Sequence, residues 1–124
     1  QRTPQKARYH QYLAISPTSV YPAYYRQHHT RHYGDDAAAE TIRQKARAEH
    51  RIIFDHLEAS LDPYICGQSL TAADFYLYML SRWDLDKTAM RKDRPRLNAL
   101  LDEIRARPAV AAVIAAQPRR AKPA

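Results

Sequence analysis

Thr71 and Asp74, three residues apart at the front of a nearly unbroken apolar run, restrict this chain more than any other pair. A threonine ahead of a helix accepts from the backbone N–H three residues on, and an acidic side chain at that third position reaches back to the threonine's own N–H. Two of the orphan donors of a helix start are met in this way, so 71–74 predicts a helix N-terminus. Asp is shorter than the usual Glu or Gln of such a capping box, but its charge suits the positive end of the helix dipole. Leu70 and Phe75 stand where a hydrophobic staple fixes the entry angle, and Gly67 supplies the turn before them. From Phe75 to Trp83 only Ser81 and Arg82 are polar, which predicts a central helix buried on most sides. On this mechanism Thr71 and Asp74 serve folding rather than chemistry.

The rest of the chain reads as helix too. Two glycines in 124 residues and no sustained strand alternation predict an all-α domain. Thr3 caps a first helix with Pro4 in its first position, and Pro17 and Pro22 kink it near Ile15 to Tyr21. Gly34 closes that helix as a left-handed cap. Asp35 and Asp36 open a second helix, which runs to about Leu61 with Ile42, Ala46, Ile53 and Leu57 as its buried stripe before Asp62-Pro63 stops it. After the central helix and a connection through Lys87 to Lys92, Pro95 starts a helix with Leu97, Leu100, Leu101 and Ile104 in i, i+3, i+4, i+7 order. Pro108 starts a short alanine-rich one carrying Val110, Val113 and Ile114. Five helices therefore form one domain over residues 1–117, and 118–124 reads as a loose basic tail.

A chain of this length buries roughly two-thirds of its unfolded surface and folds without staples. Its one cysteine, Cys66, excludes an internal disulfide and reads as a small buried hydrophobe. No apolar run approaches the ~20 residues of a membrane span, and the first residues are no signal peptide, so the expected setting is cytoplasmic, with no membrane partner. The chain begins without Met inside a linker-like stretch, which reads as a piece of a longer protein. The net charge of +7 raises the question of nucleic acid. Basic residues such as Arg43, Lys45, Arg47 and Arg51 are interleaved with acids, however, and read as a solvated mixed face.

Nine tyrosines are a heavy load, and Tyr9, Tyr12, Tyr21, Tyr24, Tyr25 and Tyr33 lie in or beside the first helix. Rigid apolar rings that carry a hydroxyl suit a pocket for aromatic or electrophilic organic molecules. Tyr21 and Tyr25, four apart beside the proline kink, are the best placed. His28 and His32 have a spacing that could share a helical face, but no third ligand is evident and no metal site is expected. No nucleophile with a base, phosphate loop or carboxylate pair is found, and no catalytic residue is assigned.

The stretch Ile65-Cys66-Gly67-Gln68-Ser69-Leu70-Thr71-Ala72-Ala73-Asp74-Phe75, continuing to Arg82-Trp83, resembles the capping box and staple of the glutathione S-transferase C-terminal domain, in its bacterial, beta-class-like form. Tyr9 to Ala14 and Tyr21 to Tyr24 resemble that domain's long first helix. Beta-class relatives commonly have His and Asn where this chain has Tyr21 and Ala14. The resemblance implies a five-helix bundle on the hydrophobic-substrate side of a transferase that conjugates glutathione to electrophiles, with a role in detoxification, as a homodimer. It points to Tyr21, Tyr25, Arg82 and Trp83 as substrate-binding residues, with a Tyr21 hydroxyl able to donate to a thiolate. In that family, glutathione and its activating Ser, Cys or Tyr belong to a thioredoxin-like domain, for which this chain has no strand pattern. The alternative is a non-catalytic helical interaction module of the kind attached to translation factors and synthetases.

Overall fold

The computed structural model describes residues 3–117, and among them every regular element is a helix. The expected basic tail, 118–124, lies outside the described residues. Helix α1, Pro4–Ile15, starts as read: the Thr3 hydroxyl accepts from the Lys6 N–H at 3.2 Å, and Pro4 takes the first position. The expected kink takes the form of a π-helical turn, Ser16–Val20, after which the chain resumes as α2, Tyr21–His28. Pro17 and Pro22 offer no N–H to the ladder, and the wider turn lets the Tyr21 N–H reach the Ser16 carbonyl five residues back.

The role expected of Gly34 is corrected. Helix α2 ends at His28, before a 3₁₀ turn at Thr30–His32, and only Gly67 (φ 91°) and Asp93 (φ 60°) have positive φ among the described residues. Gly34 is small because of its neighbours. A Cβ there would stand 3.0 Å from Ile42 Cδ1 and 3.2 Å from Ala38 Cβ.

Asp35 accepts from the Ala38 N–H at 3.0 Å and opens a 3₁₀ turn, Asp36–Ala38, that runs into α3, Ala39–Ser60. The buried stripe of α3 is Ala46, His50, Phe54 and Leu57, with Ile42 and Ile53 only half-buried beside it. His50, absent from the expected stripe, sits at its centre, fully buried.

Helix α4, Ala72–Ser81, is the central helix, although it is shorter than expected and ends before Arg82 and Trp83. Ala73, Asp74, Leu77, Tyr78, Leu80 and Ser81 are buried. The expectation of burial on nearly every side fails on one face, where Phe75 and Met79 are about two-fifths exposed. The reason is the shallow seat of α7, Pro108–Ala116, none of whose residues is fully buried. Between α4 and α7 lies an open apolar groove of about 290 Å³, walled by Phe75, Met79, Val110 and Val113.

The span expected as a connection holds a short helix α5, Lys87–Arg91, whose N-terminus Asp86 caps by accepting from the Ala89 N–H at 3.0 Å. Helix α6, Pro95–Ala106, buries the four expected residues, Leu97, Leu100, Leu101 and Ile104. Its start is capped from elsewhere: Glu58 of α3 accepts from the N–H groups of Arg96 (3.0 Å) and Leu97 (2.8 Å). The five expected helices are thus present, the first interrupted by the π turn and the set joined by α5. One core links them, from Tyr12, Val20 and Tyr24 through Phe54 and Leu80 to Leu97 and Ile104.

Candidate functional site

The Thr71–Asp74 box forms, and it reaches further than local reading suggests. One Asp74 oxygen accepts from the Thr71 N–H at 2.7 Å and from the Thr71 hydroxyl at 2.9 Å. The other accepts from the Ile65 N–H at 2.8 Å, so the carboxylate also ties down the loop before the helix. Gly67 shapes that loop by pairing with Tyr64 in both directions, at 3.0 and 3.2 Å. Leu70 packs against the core, whereas its expected staple partner Phe75 borders the α4–α7 groove. Cys66 is a buried free thiol with its Sγ 3.7 Å from the Thr71 hydroxyl.

Tyr21 and Tyr25 follow the π turn one helical turn apart on α2, and Trp83 arrives beside them from the end of α4. The Tyr21 and Trp83 rings meet edge to face with centroids 5.7 Å apart, and Tyr21 stacks toward Tyr25 at 6.3 Å. With Tyr24, His28 and His29 they line an open cavity of about 660 Å³. Every side chain of that lining carries an aromatic ring. Arg82 is not among them; it faces the α4–α7 groove and donates to Gln117 at 3.3 Å. Three of the four residues expected to bind substrate are therefore brought together and the fourth is turned away.

Several polar groups of the cavity are already engaged. Tyr24 donates to Asp84 at 3.3 Å, Tyr25 shares a 2.9 Å hydrogen bond with His32, and His28 Nε2 donates to the Trp83 carbonyl at 2.8 Å. His28 and His32 do not share a helical face, because α2 ends at the former. Among the described residues no group of three or more His, Cys, Asp or Glu could hold a metal ion. Tyr21 is two-fifths exposed, and its hydroxyl makes no hydrogen bond among the described residues.

Under the cavity lies a polar cluster that the sequence reading missed. Asp84 is fully buried, and Arg51 of α3 grips it with both guanidinium nitrogens, at 2.8 and 3.2 Å. The Asp86 N–H adds a further bond at 2.8 Å. Arg51 was read as one of many solvated cations and is instead four-fifths buried in this pair. The interleaved reading does hold for other basic residues, such as Arg43, Arg91 and Arg107, which pair with nearby acids at the surface.

Next to this pair, the Tyr24 ring lies 3.8 Å from His50. His50 Nε2 donates to the Val20 carbonyl at 2.8 Å, so its Nδ1 accepts from Gln27 at 2.9 Å and the ring is neutral. Burial lowers the pKa of His50, outweighing the Val20 carbonyl and the Asp84 charge that favour the imidazolium. Burial also raises that of the Tyr24 hydroxyl, with the nearby Asp84 carboxylate acting in the same direction. Tyr24 thus remains a neutral donor.

Residues 20–117 match the family model described as glutathione S-transferase, C-terminal domain. No curated protein and no solved structure matches the chain at a significant level. Among the described residues no helix is long and apolar enough to cross a membrane.

Proposed function

Because this chain belongs to the glutathione S-transferase C-terminal domain family, we propose that its aromatic cavity is the electrophile side of a glutathione-conjugating site. The observation that carries this reading is the lining itself, three tyrosines, one tryptophan and two histidines around about 660 Å³. Such a wall favours a flat aromatic ring by stacking and edge contacts. With the Tyr24 and Tyr25 hydroxyls engaged by Asp84 and His32, the Tyr21 hydroxyl is the tyrosine hydroxyl of the lining left to donate to a ligand. A nitro, carbonyl or developing anionic group on the ring would receive it. The substrate class is accordingly an aryl electrophile with one acceptor near its reactive carbon.

On this reading glutathione and its thiol-activating residue come from a thioredoxin-like domain, as the family pattern implies, in a cytoplasmic homodimer with a role in detoxification. The apolar groove between α4 and α7, with Val113 exposed and Phe75 and Met79 partly so, is a fitting seat for that domain. The same groove favours the second reading, a helical module that holds a protein partner. Retention of a defined partner by a native product with no affinity for glutathione would select it.

Trp83 is the sole tryptophan, so its fluorescence reports the cavity directly. Titration with 1,3-dinitrobenzene, an unreactive aryl acceptor, should quench it saturably, and Tyr21→Ala should weaken the binding. Linear, non-saturating quenching that is equal in both proteins would remove the aryl-site reading. Passage of the native gene product over immobilised glutathione then tests the transferase assignment.

A further inference from the structure

We propose that Asp84 is a positioning residue for the aromatic cavity, turning contacts from α2 and α3 into a fixed place for Trp83. The proposal rests on the reading of that cavity as the aryl site. Trp83 follows the end of α4 on an irregular turn, and its side chain is about two-fifths exposed, so burial alone does not hold it. Its backbone is held instead. The Trp83 carbonyl accepts from His28, and the adjoining Asp84 carboxylate accepts from both arms of Arg51, from the Tyr24 hydroxyl and from the Asp86 N–H.

A fully buried carboxylate is tolerated only while it is paired and hydrogen-bonded. Arg51 meets it with a planar fork, so the turn cannot slide or rotate without uncoupling one arm. Tyr24 belongs to both systems, as the buried floor of the cavity and as a donor to Asp84. Tyr24 is wholly buried beneath the exposed rings, so it acts as a support under the cavity that is tethered to the group setting Trp83. Of the cavity lining, Asp84 bonds to Tyr24 and adjoins Trp83 in the chain, and those two residues carry its effect to the ligand.

The test compares D84N, which keeps shape but loses charge, with R51K, which keeps charge but loses the fork. The double variant D84N/R51Q removes both charges and leaves no unpaired cation. E58Q, which weakens the α6 cap away from the cavity, supplies a fold-destabilised control. Acrylamide quenching of Trp83 is read first in each folded, ligand-free protein, then 1,3-dinitrobenzene affinity. The expected result is stronger acrylamide quenching in the Asp84 and Arg51 variants but not in E58Q. It is accompanied by roughly tenfold weaker aryl binding, the scale of one lost charge-assisted hydrogen bond.

Unchanged quenching and affinity in the variants that fold would overturn the proposal and leave the aryl-site reading standing. If wild type binds no dinitrobenzene while Asp84 variants expose Trp83, the aryl-site reading fails and the positioning role survives. Should D84N not fold, the double variant and R51K decide between the same two outcomes.

Discussion

Asp74 and Ile65 are joined across nine positions by a 2.8 Å hydrogen bond from the Ile65 N–H to the carboxylate that also caps α4. One buried side chain thus fixes both a helix start and the loop leading to it. Asp74→Ala should cost about 3 kcal/mol, about 1 for the cap and the remainder for a buried N–H left without an acceptor. Asp74→Asn should cost less, since one amide end still accepts while the other presents an NH₂ to a donor. Urea midpoints at neutral pH measure both. Equal midpoints for wild type and Ala would show that these bonds do not form in solution.

Glu58 holds two N–H groups at the start of α6 from 38 and 39 positions away. Glu58→Ala should lower stability by about 1 kcal/mol, the usual worth of a charged cap at a helix N-terminus. The loss should appear as faster amide exchange at Arg96 and Leu97 before it appears elsewhere. Uniform exchange changes would argue against a local cap.

His50 makes stability depend on pH. Its pKa is lowered in the folded protein from 6.5, so the unfolded chain binds the proton more readily than the native one. The contribution is complete above the unfolded value and is lost as pH falls through and below about 6.5. His50→Gln, which can still donate to the Val20 carbonyl, should be less stable at pH 8 through lost packing against Tyr24 and Phe54. Its melting temperature should also fall less steeply between pH 7 and 5. Parallel pH profiles for the two proteins would exclude this histidine as the source.

The two glycines should respond to alanine for different reasons. Gly67 has open space around it but a φ of 91°, so Gly67→Ala should cost about 1 kcal/mol through backbone strain alone. Gly34→Ala meets no such strain; it presses on Ile42 Cδ1, a flexible end that can move aside, and on the Ala38 Cβ, which must give by only a few tenths of an ångström. The expected penalty is smaller, and a double change with Ile42→Val should recover part of it. Additive effects of Gly34→Ala and Ile42→Val would contradict that contact.

Tyr21→Phe keeps the edge contact with Trp83 and deletes only the unengaged hydroxyl. In the native protein, conjugation of an aryl halide bearing nitro groups should slow by about tenfold or less, the range for one hydrogen bond to a developing charge. An aryl halide without an acceptor group should be unaffected. Equal rates with both substrates would take Tyr21 out of the reaction.

What could be read from the sequence was what lies within a turn or two of itself. The Thr71–Asp74 box is an i, i+3 relation, and Tyr21 and Tyr25 share a face at i, i+4. Trp83 was reached through family resemblance, and the same resemblance named Arg82. Neighbouring residues near a helix end point about 100° apart, which sends Arg82 to the opposite groove. Arg51 and Asp84 are separated by 33 positions, and nothing local marks either as buried. Their pairing depends on how α3 packs beside the end of α4. His50 was hidden for a related reason, since its polar ring is made compatible with the core by Gln27 and the Val20 carbonyl.

The π turn at Ser16–Val20 also sets the phase of everything after it. An added residue within a helix advances the following side chains by about 100° around the axis. Deleting one residue from this turn, if α1 stayed docked on α4, would swing Tyr21 and Tyr25 away from Trp83 and replace the ring wall with a different stripe. The aromatic character of the cavity is therefore written partly as a count of residues, and changes in length at this point would retune it without altering a single tyrosine.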